Sequence, residues 1–208
     1  RLRAEGWHVV GLARRPSPDA SSSVLVDIAR YDDVVEAFDG LAQVELLVHA
    51  AAILGPIAPL PASDPEAWAR TVEINLLGTY NVLRAALAGP LAQERGIAIH
   101  VTTGAASSAK PFWSAYSASK AGAEHLVRSA ATDIAGGNRA VCSLDPGITE
   151  TAMQQELRVS DFPDRDRFIR TFEERTYRTP EEVADAIWEL SQREPSAING
   201  QTFNVGAL

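Results

Sequence analysis

Tyr116 and Lys120 stand four residues apart near the end of the stretch VTTGAASSAKPFWSAYSASK, residues 101–120. On a helix that spacing puts both side chains on one face, about a turn apart. A Lys ammonium beside a Tyr hydroxyl favours the phenolate and lowers the phenol's pKa. Such a Tyr can give and take a proton near neutral pH. A Tyr–Lys pair at this spacing also occurs as an ordinary solvated surface pair. Composition favours chemistry: Lys occurs only at Lys110 and Lys120, and the other strongly basic residues are Arg. Arg cannot replace a compact ammonium in a proton-related role.

The elements that position this pair follow from the pattern of apolar runs. The chain has 208 residues, 46% hydrophobic and 22% charged, which suits one globular domain spanning residues 1–208. Trp7–Ala13, Val24–Val26, Glu45–Ala52, Ile97–Thr102, Ala140–Leu144 and Gln201–Val205 read as strands. Most are continuous apolar runs, as expected of strands buried on both faces. Helical spacing appears over Tyr31–Leu41, Pro65–Ala88, Ala115–Ile134 and Pro180–Gln192. Asp64-Pro65-Glu66 and Thr179-Pro180-Glu181-Glu182 are helix starts, the second with capping-box spacing. Arg1–Glu5 reads as the last turn of a helix stopped by Gly6, and Thr151–Arg178 as short helices crossing a cleft. Strands alternating with helices predict an α/β fold, a doubly wound parallel sheet. Ligands in such sheets bind beyond the carboxyl ends of the strands. Arg14, Arg15, Asp27, the Ala50–Ala52 run, Thr103 and Pro146-Gly147 all fall there.

Composition also excludes some functions. A net charge of -8 argues against a nucleic-acid or anionic-membrane surface. A single cysteine, Cys142, permits no disulfide framework, so a reducing cytoplasm is the expected location. No apolar run reaches the ~18 residues of a membrane-spanning helix. No cluster of residues calls for a metal.

Several motifs occur in a fixed order: INLLG around Asn75, Thr103 thirteen residues before Tyr116, YSASK at Tyr116–Lys120, DPGITET at Asp145–Thr151, and INGQTFNVG at Ile198–Gly206. Together they resemble the short-chain dehydrogenase/reductase family, with its Rossmann-like fold, over essentially the whole chain. The strand ending in hydroxyl-hydroxyl-Gly-Ala, Trp113 three residues before Tyr116 and the MQQEL segment are most similar to the sepiapterin and benzil reductase branch. The resemblance implies hydride transfer between a nicotinamide cofactor and a carbonyl or alcohol. Tyr116 would be the general acid, and Lys120 would lower its pKa and bond the nicotinamide ribose. Thr103, where the family usually has Ser, would bond the substrate oxygen; Thr102, Ser107 and Ser108 are rivals for that role. Asn75 would hold a water linking Lys120 to solvent. The expected substrate is a ketone, a dicarbonyl or a pterin side chain.

The resemblance also implies cofactor contacts at Asp27 and Ile28 near the adenine, at Ala51, and at Pro146, Gly147, Ile148 and Thr151 near the nicotinamide. An NAD-specific protein places an acid after the strand that precedes the ribose. Here that region reads Ala13-Arg14-Arg15, and a guanidinium suits a 2′-phosphate. NADP(H) is therefore expected ahead of NAD(H), with Arg14 the first candidate and Arg15 the second. Two departures stand out. The family's Asn-Asn-Ala-Gly is His49-Ala50-Ala51-Ala52 here, with His49 expected to be structural. The family's first strand and Gly-rich phosphate loop are expected to precede Arg1. These departures keep a second reading open, a catalytically silent dinucleotide-binding sensor or scaffold. Ala-rich helices at Pro65–Ala88 and Ala115–Ile134 make a homodimer or homotetramer the expected assembly.

Overall fold

Every strand pairing among the described residues is parallel. The structure is a computed structural model that describes residues 1–91 and 94–207. In chain order it contains β1 (Val10–Ala13), β2 (Ser22–Leu25), α1 (Tyr31–Asp39), β3 (Leu46–His49), α2 (Pro65–Val72), α3 (Gly78–Ala88), β4 (Gly96–Val101), α4 (Ser114–Asp133), β5 (Arg139–Asp145), α5 (Ala152–Val159), α6 (Arg165–Glu173), α7 (Pro180–Gln192), α8 (Pro195–Ile198) and β6 (Thr202–Asn204). The first turn, Leu2–Glu5, is 3₁₀ and ends at Gly6 with φ 84°, a left-handed stop.

Helices cover both faces of the larger sheet. Ile97, Ile99, Ala140, Cys142 and Leu144 pack toward α7 and α8 through Ala186, Leu190 and Ile198. Ala98 and Val141 point the other way, into a cluster with Val82, Leu83 and Ala86 of α3 and Val127 and Ala130 of α4. The doubly wound architecture is thus the observed one, and it explains the unbroken apolar runs: both sides of each strand are buried. His100 and Ser143 share the pleat parity of Ala98 and Val141, so they face α4.

The strands are shorter than the apolar runs because pairing stops where a neighbour ends. β1 omits Trp7–Val9, and β3 pairs with β4 only from Leu46 to His49. The sheet is also divided. β1 and β2 form one pair, and β3-β4-β5-β6 form a second sheet in that order. Between them lies a cavity of about 1300 Å³, lined by β1 on one side and β3 on the other, with Val34, Phe38 and Val82 above. The facing edges of β1 and β3 have no ladder partner among the described residues.

The helix expected over Pro65–Ala88 is there but not uniform. Asp64 Oδ1 accepts from Glu66 N at 3.0 Å and Pro65 takes the first position, as its start requires. At Glu73–Leu77 the helix widens to a π turn that contains Asn75. The Thr79 hydroxyl donates to the Asn75 carbonyl at 2.6 Å. At Thr179 the capping box forms in full. Among the described residues no helix is long and apolar enough to cross a membrane, and no group of His, Cys, Asp or Glu could hold a metal ion.

Candidate active site

Thr103, Tyr116 and Lys120 meet where β4 runs into α4. Thr103 is extended, with φ -164° and ψ 151°, and its hydroxyl accepts from Ala105 N at 3.3 Å. Tyr116 and Lys120 lie on the buried face of α4, 7% and 3% exposed, so the spacing argument holds and the surface-pair reading does not.

Their electrostatics differ from the expectation. The Tyr116 phenol is pushed up to about 12, not lowered. Burial is the main cause; the Thr103 hydroxyl, bonding the phenolate, works against it, and the Asp145 carboxylate adds to the rise. Lys120 is not among the causes, and its own contacts lie on β4. Its Nζ donates to the Val101 carbonyl at 2.6 Å and lies 3.4 Å from His100 Nε2. Burial brings Lys120 down to about 8, with Glu124 opposing.

Asn75 is 1% exposed and holds two segments together. Its Nδ2 donates to Ile53 O at 2.9 Å and to Ser119 Oγ at 3.0 Å, while Oδ1 accepts from Ile53 N at 2.8 Å. Ser119 Oγ in turn donates to the Tyr116 carbonyl at 2.8 Å. Both amide protons are used, so Asn75 can serve a water only as an acceptor, through Oδ1 or its main-chain carbonyl. The π turn widens the helix where this side chain reaches across to Ile53. Gly78 completes the motif for a steric reason: a Cβ there would lie 2.7 Å from Ile28 Cδ1.

A cavity of about 400 Å³ opens at the carboxyl ends of β1 and β2, lined by Arg14, Arg15, Asp27, Ile28, Ala51 and Ile53 among others. Five of the expected cofactor residues therefore come together. Arg14 and Arg15 have no ion-pair partner among the described residues. Asp27 accepts from Ala29 N at 3.0 Å and pairs with Arg70 at 3.4 Å. Pro146, Gly147, Ile148 and Thr151 do not line this cavity. They follow β5, where Gly147 turns with φ 70° and donates its N–H to Asp145 Oδ1 at 2.9 Å. Ile148 O accepts from Arg178 N at 2.8 Å, and Thr151 precedes α5.

The sequence left the aromatics of the crossing segment unplaced. Phe162 and Phe168 pack on Trp113, with ring centroids 5.7 and 5.5 Å away, and Trp113 meets Tyr116 edge-on at 5.9 Å. Leu54, Ala105 and Leu157 complete this apolar wall beside the phenol. His100 was also missed. The available signal was a lone imidazole inside an apolar strand run. As expected, His49 is buried, and burial brings it down to about 3.

Residues 7–207 match the family model described as enoyl-(acyl carrier protein) reductase. Cis-4-hydroxycyclohexanecarboxylate dehydrogenase of Sinomonas cyclohexanicum is 32% identical over 99% of this chain and 80% of its own length. 2-(S)-hydroxypropyl-CoM dehydrogenase 3 of Xanthobacter autotrophicus is 29% identical over 94% of this chain and 81% of its own. Among solved structures, ligand-free aldohexose dehydrogenase of Thermoplasma acidophilum superposes with a TM-score of 0.86 at 23% identity, covering 99% of this chain and 86% of that one. At that identity the likeness speaks for the fold.

Proposed function

Because the chain belongs to the short-chain dehydrogenase/reductase family and is an oxidoreductase, we propose that it reduces a carbonyl to an alcohol with NADPH. The observation that carries this reading is the meeting of Tyr116, Thr103 and Lys120 at the end of β4. The aromatic wall of Trp113, Phe162 and Phe168 supports a ketone, dicarbonyl or pterin-like substrate with an apolar or planar body. It is also compatible with the sepiapterin and benzil reductase branch.

The residues present fit a dinucleotide. The cavity at the ends of β1 and β2 offers two guanidinium groups and the Asp27 carboxylate. Arg14 and Arg15 would hold a 2′-phosphate, Asp27 and Ile28 the adenine end, and Ala51 the stretch between. Pro146, Gly147, Ile148 and Thr151 would hold the nicotinamide end. When bound, the cofactor supplies the hydride. The chain's own residues handle the oxygen. Tyr116 gives its phenolic proton to the carbonyl oxygen, and Thr103 donates a hydrogen bond to the same atom. Lys120 restores the phenol's proton. Asn75, through Ser119 and the Tyr116 carbonyl, fixes the start of α4 so that the phenol stays beside Thr103.

The test is loss of NADPH absorbance against a panel of ketones, dicarbonyls and pterins. A second reading, a silent dinucleotide-binding sensor, is favoured by His49-Ala50-Ala51-Ala52 standing where the family has Asn-Asn-Ala-Gly. It expects NADPH binding without turnover across the panel. Cofactor choice has its own test. Charge-assisted hydrogen bonds are worth about 1.5–3 kcal/mol, roughly a 10- to 100-fold effect. Arg14→Ala with Arg15→Ala is therefore expected to raise the KM for NADPH by about that factor and leave NADH unchanged. An equal effect on both cofactors would remove the arginines from the phosphate.

The facing unpaired edges of β1 and β3 support a further part of this reading, one more parallel strand seated between them. That strand and its Gly-rich phosphate loop would come from polypeptide outside these 208 residues. Exposed Leu77 and Tyr80 on the α2–α3 helix support self-association. Intact mass and light scattering of the protein from its native source check both points. The expected results are a subunit above 22.3 kDa and a dimer or tetramer. A monomer of that mass would refute both.

A further inference from the structure

We propose that His100 is a positioning residue for Lys120, its imidazole and the Val101 carbonyl forming a buried seat that fixes the ammonium on β4. The proposal rests on the reductase reading for its catalytic meaning, though the seat itself is independent of it.

Among the described residues Lys120 Nζ has two hydrogen-bond partners, both on β4: Val101 O at 2.6 Å and His100 Nε2 at 3.4 Å. Among the described residues no hydrogen bond joins it to Tyr116. An ammonium only donates, so Nε2 must accept, and the imidazole proton sits on Nδ1. His49 stacks on the other side of His100, with ring centroids 5.5 Å apart and planes 25° apart. The Thr79 hydroxyl gives its proton to Asn75 O and lies 3.1 Å from His49 Nε2, so that nitrogen carries a proton. His49, His100 and Ser143 are register partners on adjacent strands, so all three project from one face of the sheet under α4.

This row is built for a polar partner. His100 Nδ1 and Ser143 Oγ are both buried without a hydrogen bond, in a core otherwise apolar. The titratable groups around Lys120 and His100 are His49 on β3, Tyr116 and Glu124 on α4, and Asp145 at the end of β5. Burial, aided by the Lys120 charge, keeps His100 well below its ordinary value, so the imidazole is neutral and able to accept. A neutral acceptor at Nε2 stabilises the charged lysine.

In protein labelled with ¹³C at lysine Cε, the Lys120 signal is the one that disappears in Lys120→Met. In His100→Leu the Lys120 midpoint is expected to fall by about one pH unit, a tenfold change in its ionisation constant, because the acceptor is gone. In His100→Gln the amide oxygen still accepts, and the midpoint is expected to stay near that of the parent. An unchanged midpoint in His100→Leu, or the same fall in both variants, would overturn the seat. These titrations need no substrate, so they stand even if no carbonyl is reduced. With turnover in hand, the alkaline limb of kcat/KM for reduction is expected to move with the Lys120 midpoint in His100→Leu and to be restored in His100→Gln.

Discussion

Tyr116→Phe is expected to lower carbonyl reduction by about 10²- to 10⁴-fold, the usual contribution of a positioned general acid. The fold should survive. The ring keeps its edge-on contact with Trp113, and the variant loses one hydroxyl whose partner, Thr103, still accepts from Ala105 N. The stability change is expected to stay within about 1.5 kcal/mol. Circular dichroism and a thermal melt check the fold, and NADPH oxidation checks the rate. Unchanged turnover would remove Tyr116 from the chemistry. The direction of the pKa shift adds a pH signature. A phenol near 12 is protonated throughout the neutral range, which is the form that reduction consumes. Reduction by this group should be flat with pH there. Alcohol oxidation needs the phenolate, so its rate should climb as the solution becomes alkaline.

Lys120→Met is expected to remove activity and raise stability together. Lys120 is 3% exposed, and burial brings it from an ordinary 10.5 to about 8. The folded state therefore disfavours the ammonium. Relative to a solvated lysine this costs roughly 3 kcal/mol at neutral pH, taking about 1.4 kcal/mol per pH unit. The sign follows from proton counting. Between about 8 and 10.5 the unfolded chain binds the proton and the folded chain does not, so stability rises with pH across that window. The gain is present above 10.5 and is lost as pH falls through about 8. Methionine fills much the same volume without a charge, but it forfeits the 2.6 Å bond to Val101 O, worth about 1–2 kcal/mol. The net expectation is a gain of about 1–2 kcal/mol at pH 7, or roughly 2–8 °C in Tm. The variant should also lack the parent's rise between pH 8 and 10.5. A lower Tm at pH 7 would show that the seat compensates the buried charge more fully than the pKa implies.

Much of the fold was legible because its signals are local. Asp64-Pro65 and Thr179-Pro180-Glu182 cap their helices through groups within three residues, so their chemistry can be read from sequence. Continuous apolar strands reported two buried faces, and the structure has them. The π turn was not legible. Asn75 sits at helical spacing with its neighbours, and only its reach to Ile53 and Ser119 accompanies the widened turn. The division of the sheet was likewise beyond local pattern, since strand order is a matter of long-range pairing. Part of the cofactor set was brought together: Arg14, Arg15, Asp27, Ile28 and Ala51 line one cavity, while Pro146–Thr151 lie outside it.

The sequence by itself determined that Tyr116 and Lys120 share a helix face, that Thr103 follows the strand before them, and that two arginines follow β1. Each of these depends on spacing along one element, where backbone geometry leaves little freedom. Tertiary structure alone decided what the pair does at rest. A lysine side chain has four rotatable carbons, and its tip goes to whatever the neighbouring strands offer. Here β4 offers the Val101 carbonyl and His100, and burial by the sheet and the crossing helices raises the phenol instead of lowering it.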